Sequence, residues 1–125
     1  MKSDIWEEGK YLDLWSVNHV LSGVLYTGWI LKLGFGYQFI FITYFVLAVG
    51  WEFYEKYVGV KEHLENQIMD VVTGVAGFFM VYIPDIYWNQ ISYSALIVLS
   101  IIFIFLEIHG YITYKKRINK ALKIG

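Results

Sequence analysis

Four stretches of roughly 20 mostly apolar residues leave this chain few ways to fold. They run over about 14–33, 37–57, 66–83 and 91–111. An α-helix needs about that length to cross the hydrocarbon core of a bilayer. The expected fold is therefore all-α: a polytopic membrane protein, a four-transmembrane-helix bundle forming one integral membrane domain over 1–125, with a basic tail at 112–125. Of the 125 residues, 58% are hydrophobic and 20% aromatic, more apolar surface than a soluble core of this size encloses. The joints carry turn chemistry. "GFG" at 34–36 frees the backbone after the first span. The proline of "PDIYWNQ" at 84–90 is expected to end the third. "EKYVGVKEHLENQ" at 55–67 is the long polar connection.

Lysine and arginine set the orientation. Lys2 and Lys10 precede the first span. Lys56 and Lys61 lie between the second and third. Lys115, Lys116, Arg117, Lys120 and Lys123 follow the fourth. With alternating spans all of these share one side, and only Lys32 falls on the other. The positive-inside rule then puts both termini and the long connection in the cytosol, at an inner or plasma membrane. Trp6, Tyr11 and Trp15 are expected in the inner aromatic belt, and Trp29, Tyr87 and Trp88 in the outer one. The start, "MKSDIWEEGKYLDLW", is acidic and lacks a small-residue cleavage site, so it is not expected to be a signal peptide. Asp4 with Glu7 is expected to cap a short helix. Ile118, Leu122 and Ile124 share a roughly common face of the basic tail, which is expected either to rest on the anionic leaflet or to be a solvated stop-transfer cluster. A net charge of −1 provides no basic field for nucleic acid. The absence of cysteine excludes disulfides, thiolate nucleophiles and iron–sulfur clusters.

The polar residues within these spans gather at one end. The first contributes Asp13, Ser16, Asn18 and His19; the second, Glu52 and Glu55. The third adds Asn66 and Asp70, and the fourth Glu107 and His109. All three histidines, His19, His63 and His109, fall on the cytosolic side. Helical spacing sharpens the pattern. Glu52 and Glu55 are i, i+3 and share a face. Asn66 and Asp70 are i, i+4, and their stripe continues through Thr73, Gly74 and Gly77. Ser16, His19 and Gly23 form a matching stripe on the first span. Small residues of this kind favour close helix contacts in lipid.

A carboxylate within the bilayer costs about 2.5–3.5 kcal/mol at mid-membrane, so such groups are paired or functional. Acids brought together take up a proton or share a cation. Lys56 or Lys61 could supply that charge, and so could a metal. Carboxylate and imidazole donors without thiolate suit Mg²⁺, Mn²⁺, Fe or Zn²⁺. Candidate ligands are Glu52, Glu55, Asp70 and His19; candidate catalytic groups are His19, Glu52 and Asp70. Asp13, Asn66, Glu107 and His109 are candidates to bind or orient a substrate. The plainer alternatives are an N-cap for Asp13, a solvated loop position for His63, and snorkelling for Glu107 and His109.

"DLWSVNHVLSG" (13–23), "WEFYE" (51–55) and "NQIMDVVTGVAG" (66–77) occur in that order. Together they resemble the VanZ-like superfamily of small polytopic bacterial membrane proteins, over roughly 13–79. The resemblance implies that Asp13, His19, Glu52, Glu55, Asn66 and Asp70 carry the family's shared polar signature. It implies a common site rather than a named reaction. The chain departs from VanZ proper at Thr73 and Gly74, where an asparagine is often found.

Three function classes fit these residues. In the first, a cytosol-facing carboxylate/His site uses a divalent cation to bind or process a lipid-linked or phosphorylated substrate. In the second, a non-enzymatic membrane subunit or adaptor uses the polar cluster to fix helix packing, with membrane lipids, a second copy or another membrane protein as partners. The third, proton or cation transport, is disfavoured because spans three and four are apolar outward of Thr73 and Ser100.

Overall fold

A computed structural model describes residues 4–88 and 90–124. Lys2 and Asn89, which belong to the charge pattern and to the 84–90 joint, lie outside the described residues. Four helices follow in chain order: α1 (Leu14–Lys32), α2 (Tyr37–Tyr57), α3 (Leu64–Tyr87) and α4 (Tyr93–Ile124). Among the described residues there are no strands. Two of the helices, α3 and α4, are long and apolar enough to cross a membrane.

Local chemistry sets the ends of the first two helices. Asp13 caps α1: its side chain accepts from the Ser16 N–H, and the Ser16 hydroxyl accepts from the Asp13 N–H. The far end closes where Gly34 takes φ 93°, which lets its N–H reach the Leu31 carbonyl and the Phe35 N–H reach that of Ile30. The end of α2 repeats the motif. Gly59, at φ 88°, donates to the Lys56 carbonyl and Val60 donates to that of Glu55. This second reversal folds the 58–63 connection back over the end of α2.

The later helices run longer than their apolar lengths. Pro84 does not end α3, which continues to Tyr87. A proline so near the C-terminus removes one backbone bond and leaves a single further turn. That turn is held by the Trp88 N–H on the Pro84 carbonyl and by the Tyr37 hydroxyl on Asp85. The basic tail does not separate from α4, which has 32 residues and spans about 48 Å. No proline interrupts it, and its Lys, Arg, Ala and Leu are good helix formers. The 4–7 segment is a single turn rather than a helix, with Glu7 N–H on the Asp4 carbonyl.

Helix α1 is the hub. It packs on α2, α3 and α4; α2 also packs on α3, whereas α4 meets α1 alone among the described helices. Glycines bring α1 and α3 together. A Cβ on Gly23 would run into the Gly74 carbonyl and the Gly77 Cα, and one on Gly77 into the Val20 carbonyl. The small-residue stripes of the two helices thus meet, as their spacing predicts. On the other side of α1, Gly110 of α4 leaves room for the rings of Trp6 and Trp15. Trp6, expected at the membrane interface, is instead enclosed, with 1% of its surface exposed. Its indole donates to His109 Nδ1 at 2.8 Å, and its carbonyl accepts from Trp15 Nε1 at 2.8 Å.

Candidate functional site

The polar side chains collect where α1 and α3 begin and α2 ends. Asn66, in the first turn of α3, is fully buried. It donates to the Tyr11 carbonyl at 2.9 Å and to Asp13 Oδ2 at 3.0 Å. The same Asp13 oxygen accepts from the Gly9 N–H at 2.8 Å. Asp13 and Asn66 therefore lock the N-terminal segment, α1 and α3 to one another. The Asn66 donors are spent on that joint, while its Oδ1 is buried without a partner.

One turn further along α3, Asp70 is 2% exposed. Its Oδ1 accepts from Ser16 Oγ at 3.4 Å, and its Oδ2 lies 3.3 Å from His19 Nε2. The pair orients the imidazole across the α1–α3 contact. From α2, Glu52 completes this corner. Each of His19, Glu52 and Asp70 presents a ligand-type atom within 4.8 Å of the other two. Glu52 is 9% exposed, neither of its carboxylate oxygens meets a donor, and its hydrogen-bonding neighbour is another acid, Glu62. A buried acid without a donor is costly, so this carboxylate is poised for something it does not find within the protein.

Glu52 also belongs to a second group. It, Glu55 and Glu62 bring carboxylate oxygens within 4.8 Å of one another. Glu62 arrives from the α2–α3 connection, returned by the Gly59 turn. Burial raises the Glu62 pKa, and the charge on Asp70 adds to the effect. Glu8, on the N-terminal segment, is pushed up to about 9 by burial and then by the charges of Asp13, Glu62 and Glu55. The cluster has little compensating charge. Lys56 and Lys61 are exposed, and neither forms an ion pair among the described residues. The expectation that either lysine neutralises the acids is not met. Arg117 pairs with Asp4 at 3.0 Å instead.

Two openings flank the cluster. A groove of about 370 Å³ between α2 and α3 is lined mainly by apolar side chains, with Glu52 and Lys56 among them. A cavity of about 730 Å³ lies toward the basic end of α4, and Glu8, Glu62, Lys61 and Arg117 help to line it.

The sequence-derived residues therefore divide. His19, Glu52 and Asp70 come together, and Glu55 joins Glu52 in the second group. Asp13 and Asn66 form the adjoining joint. Glu107 and His109 lie on the α4 side of α1, where Glu107 Oε1 accepts from Asn18 Nδ2 at 2.9 Å and His109 accepts from Trp6. Asn18 and His19 are sequence neighbours that face different helices. His63 is exposed at the start of α3. Sequence reasoning left out Glu8 and Glu62. Glu62 had one usable signal: a glycine three residues earlier, able to reverse the chain. No family model matches this chain, nor does any curated protein or solved structure.

Proposed function

We propose that this is a four-span membrane protein whose cytosol-facing site binds a divalent cation and, through it, a lipid-linked or phosphorylated substrate. The reading rests chiefly on Glu52, a carboxylate enclosed between three helices with both oxygens unpartnered and with His19 and Asp70 beside it. A cation there would satisfy the orphaned oxygens and offset the acids' mutual repulsion. Glu52, Asp70 and His19 are the proposed ligands, with Glu55 beside Glu52, and the cation would supply charge for phosphate oxygens. The flanking openings fit an amphiphile, with an apolar chain in the α2–α3 groove and an anionic head in the cavity near Lys61 and Arg117.

The membrane placement draws support from the outward apolar faces of α2 and α4, where Phe45, Val46, Phe53, Ile101 and Phe105 are exposed. Its orientation, with both termini cytosolic, follows from the lysine and arginine pattern. The VanZ-like resemblance is consistent with a shared site of this kind. Purified in nanodiscs, the wild type is expected to retain a divalent metal by mass spectrometry. Glu52→Gln and Asp70→Asn are expected to lose it. Wild-type protein that takes up no metal, even from added Mg²⁺ or Mn²⁺, would end this reading.

One set of bonds favours a second reading, in which the polar groups only fix helix register. Asn66 to Asp13, Asn18 to Glu107, and Trp29 Nε1 to Ser100 Oγ at 3.1 Å all tie separate elements together. A subunit or adaptor needs no more than this. It leaves the bare oxygens of Glu52 unexplained.

A further inference from the structure

We infer that the site holds two divalent cations, bridged by the Glu52 carboxylate, with Glu62 of the α2–α3 connection as a ligand to the second ion. This rests on the reading that His19, Glu52 and Asp70 hold a cation, and extends it to a metal pair.

Glu52 is common to both ligand groups, His19/Glu52/Asp70 and Glu52/Glu55/Glu62. Acid clusters alone say little about ligands. Here the shared member is enclosed, 9% exposed, and meets no donor on either oxygen, only the neighbouring acid Glu62. If an ion at the first group binds through one of those oxygens, the other stays bare and Glu55 and Glu62 stay crowded together. A second ion takes the other oxygen and relieves the crowding. Glu52, Glu55, Glu62 and Asp70 carry four negative charges when ionised, and Glu8 and Asp13 lie beside them, more charge than one dication offsets.

Distances are compatible. Oxygen ligands stand about 2.0–2.6 Å from Mg²⁺ or Ca²⁺, so two ligands opposite each other on one ion are about 4–5 Å apart. Each group falls within 4.8 Å before any ion draws it in. A carboxylate bridge suits paired ions about 3.5–4 Å apart, the spacing at which both ends of a phosphoryl group are gripped. The donors differ between the two positions. The first offers an imidazole nitrogen with carboxylates and accepts Mn²⁺, Fe²⁺ or Zn²⁺. The second offers oxygen alone and selects Mg²⁺ or Mn²⁺. Glu62 also lines the larger cavity, so the second ion would face the side from which a phosphate arrives.

Mn²⁺ serves as the probe, since it suits both positions. Chelator-stripped protein in nanodiscs is titrated with Mn²⁺ and followed by electron paramagnetic resonance. The wild type is expected to bind two Mn²⁺ per chain, the second producing the narrowed hyperfine pattern of a spin-coupled pair. Glu62→Gln is expected to bind one, uncoupled, with its helix content unchanged because Glu62 lies outside the helices. Asp70→Asn is expected to abolish the coupled signal as well. A wild type that binds one Mn²⁺, or a Glu62→Gln protein that still binds a coupled pair, overturns the inference and leaves the single-cation reading standing. A wild type that binds none overturns both.

Discussion

Glu8 shows what enclosing this many acids does to a single residue. Its pKa, pushed up to about 9 from the usual 4.5, means that the folded chain holds this proton through neutral pH while the unfolded chain releases it. Below about 4.5 both states are protonated and Glu8 carries no penalty. As pH rises from there toward 9 the folded state loses stability relative to the unfolded one, and above 9 the loss is complete. In chelator-treated protein, Glu8→Gln is therefore expected to raise the unfolding temperature at pH 8 and to leave it almost unchanged at pH 4. Thermal melts at the two values check this. An equal gain at both would mean that Glu8 acts through packing. Asn66 is the contrasting residue, a neutral amide that carries no charge of its own and spends its donors on the Tyr11 carbonyl and the Asp13 carboxylate.

Among the helices, the α1–α3 contact is the most demanding. Gly23→Ala places a methyl against the Gly74 carbonyl, in a seam where the opposite wall is also backbone. Such overpacking costs about 1–3 kcal/mol. Gly50→Ala meets nothing within 4 Å and serves as the control. Unfolding in detergent is expected to separate the two variants by that margin, and equal stabilities would argue that the seam can open without cost. The seam was readable beforehand because Ser16, His19 and Gly23 recur at helical spacing opposite Asn66, Asp70, Gly74 and Gly77. The start of α1 was readable too, since Asp13 is a cap by type and position. The ends of α3 and α4 were not. Pro84 breaks a helix only where enough helix follows to be lost, and lysine-rich sequence says nothing about whether a helix stops at the lipid boundary. Glu62 and Glu8 were missed for a related reason: a helix has a period that predicts which side chains meet, and a returning loop has none.

At the scale of the whole molecule, the absence of cysteine turns orientation into a simple measurement. Phe35→Cys, in the exposed turn after α1, is expected to react with an impermeant maleimide on intact cells. Lys120→Cys, on the basic stretch of α4, is expected to react only after permeabilisation. The reverse pattern would invert the topology and put the acid cluster on the outer face. The glycine seam also decides which part of the molecule can give way. Where two backbones touch directly, no side chain remains to swing aside, so α1 and α3 form a fixed anvil carrying His19 and Asp70. Glu52 and Glu55 ride on α2, whose outward face is open and whose end is tethered to α3 by a short glycine-reversed strap. If a ligand enters, α2 is the element expected to adjust, and a spin-label pair across α2 and α3 is expected to register that change while one across α1 and α3 stays still.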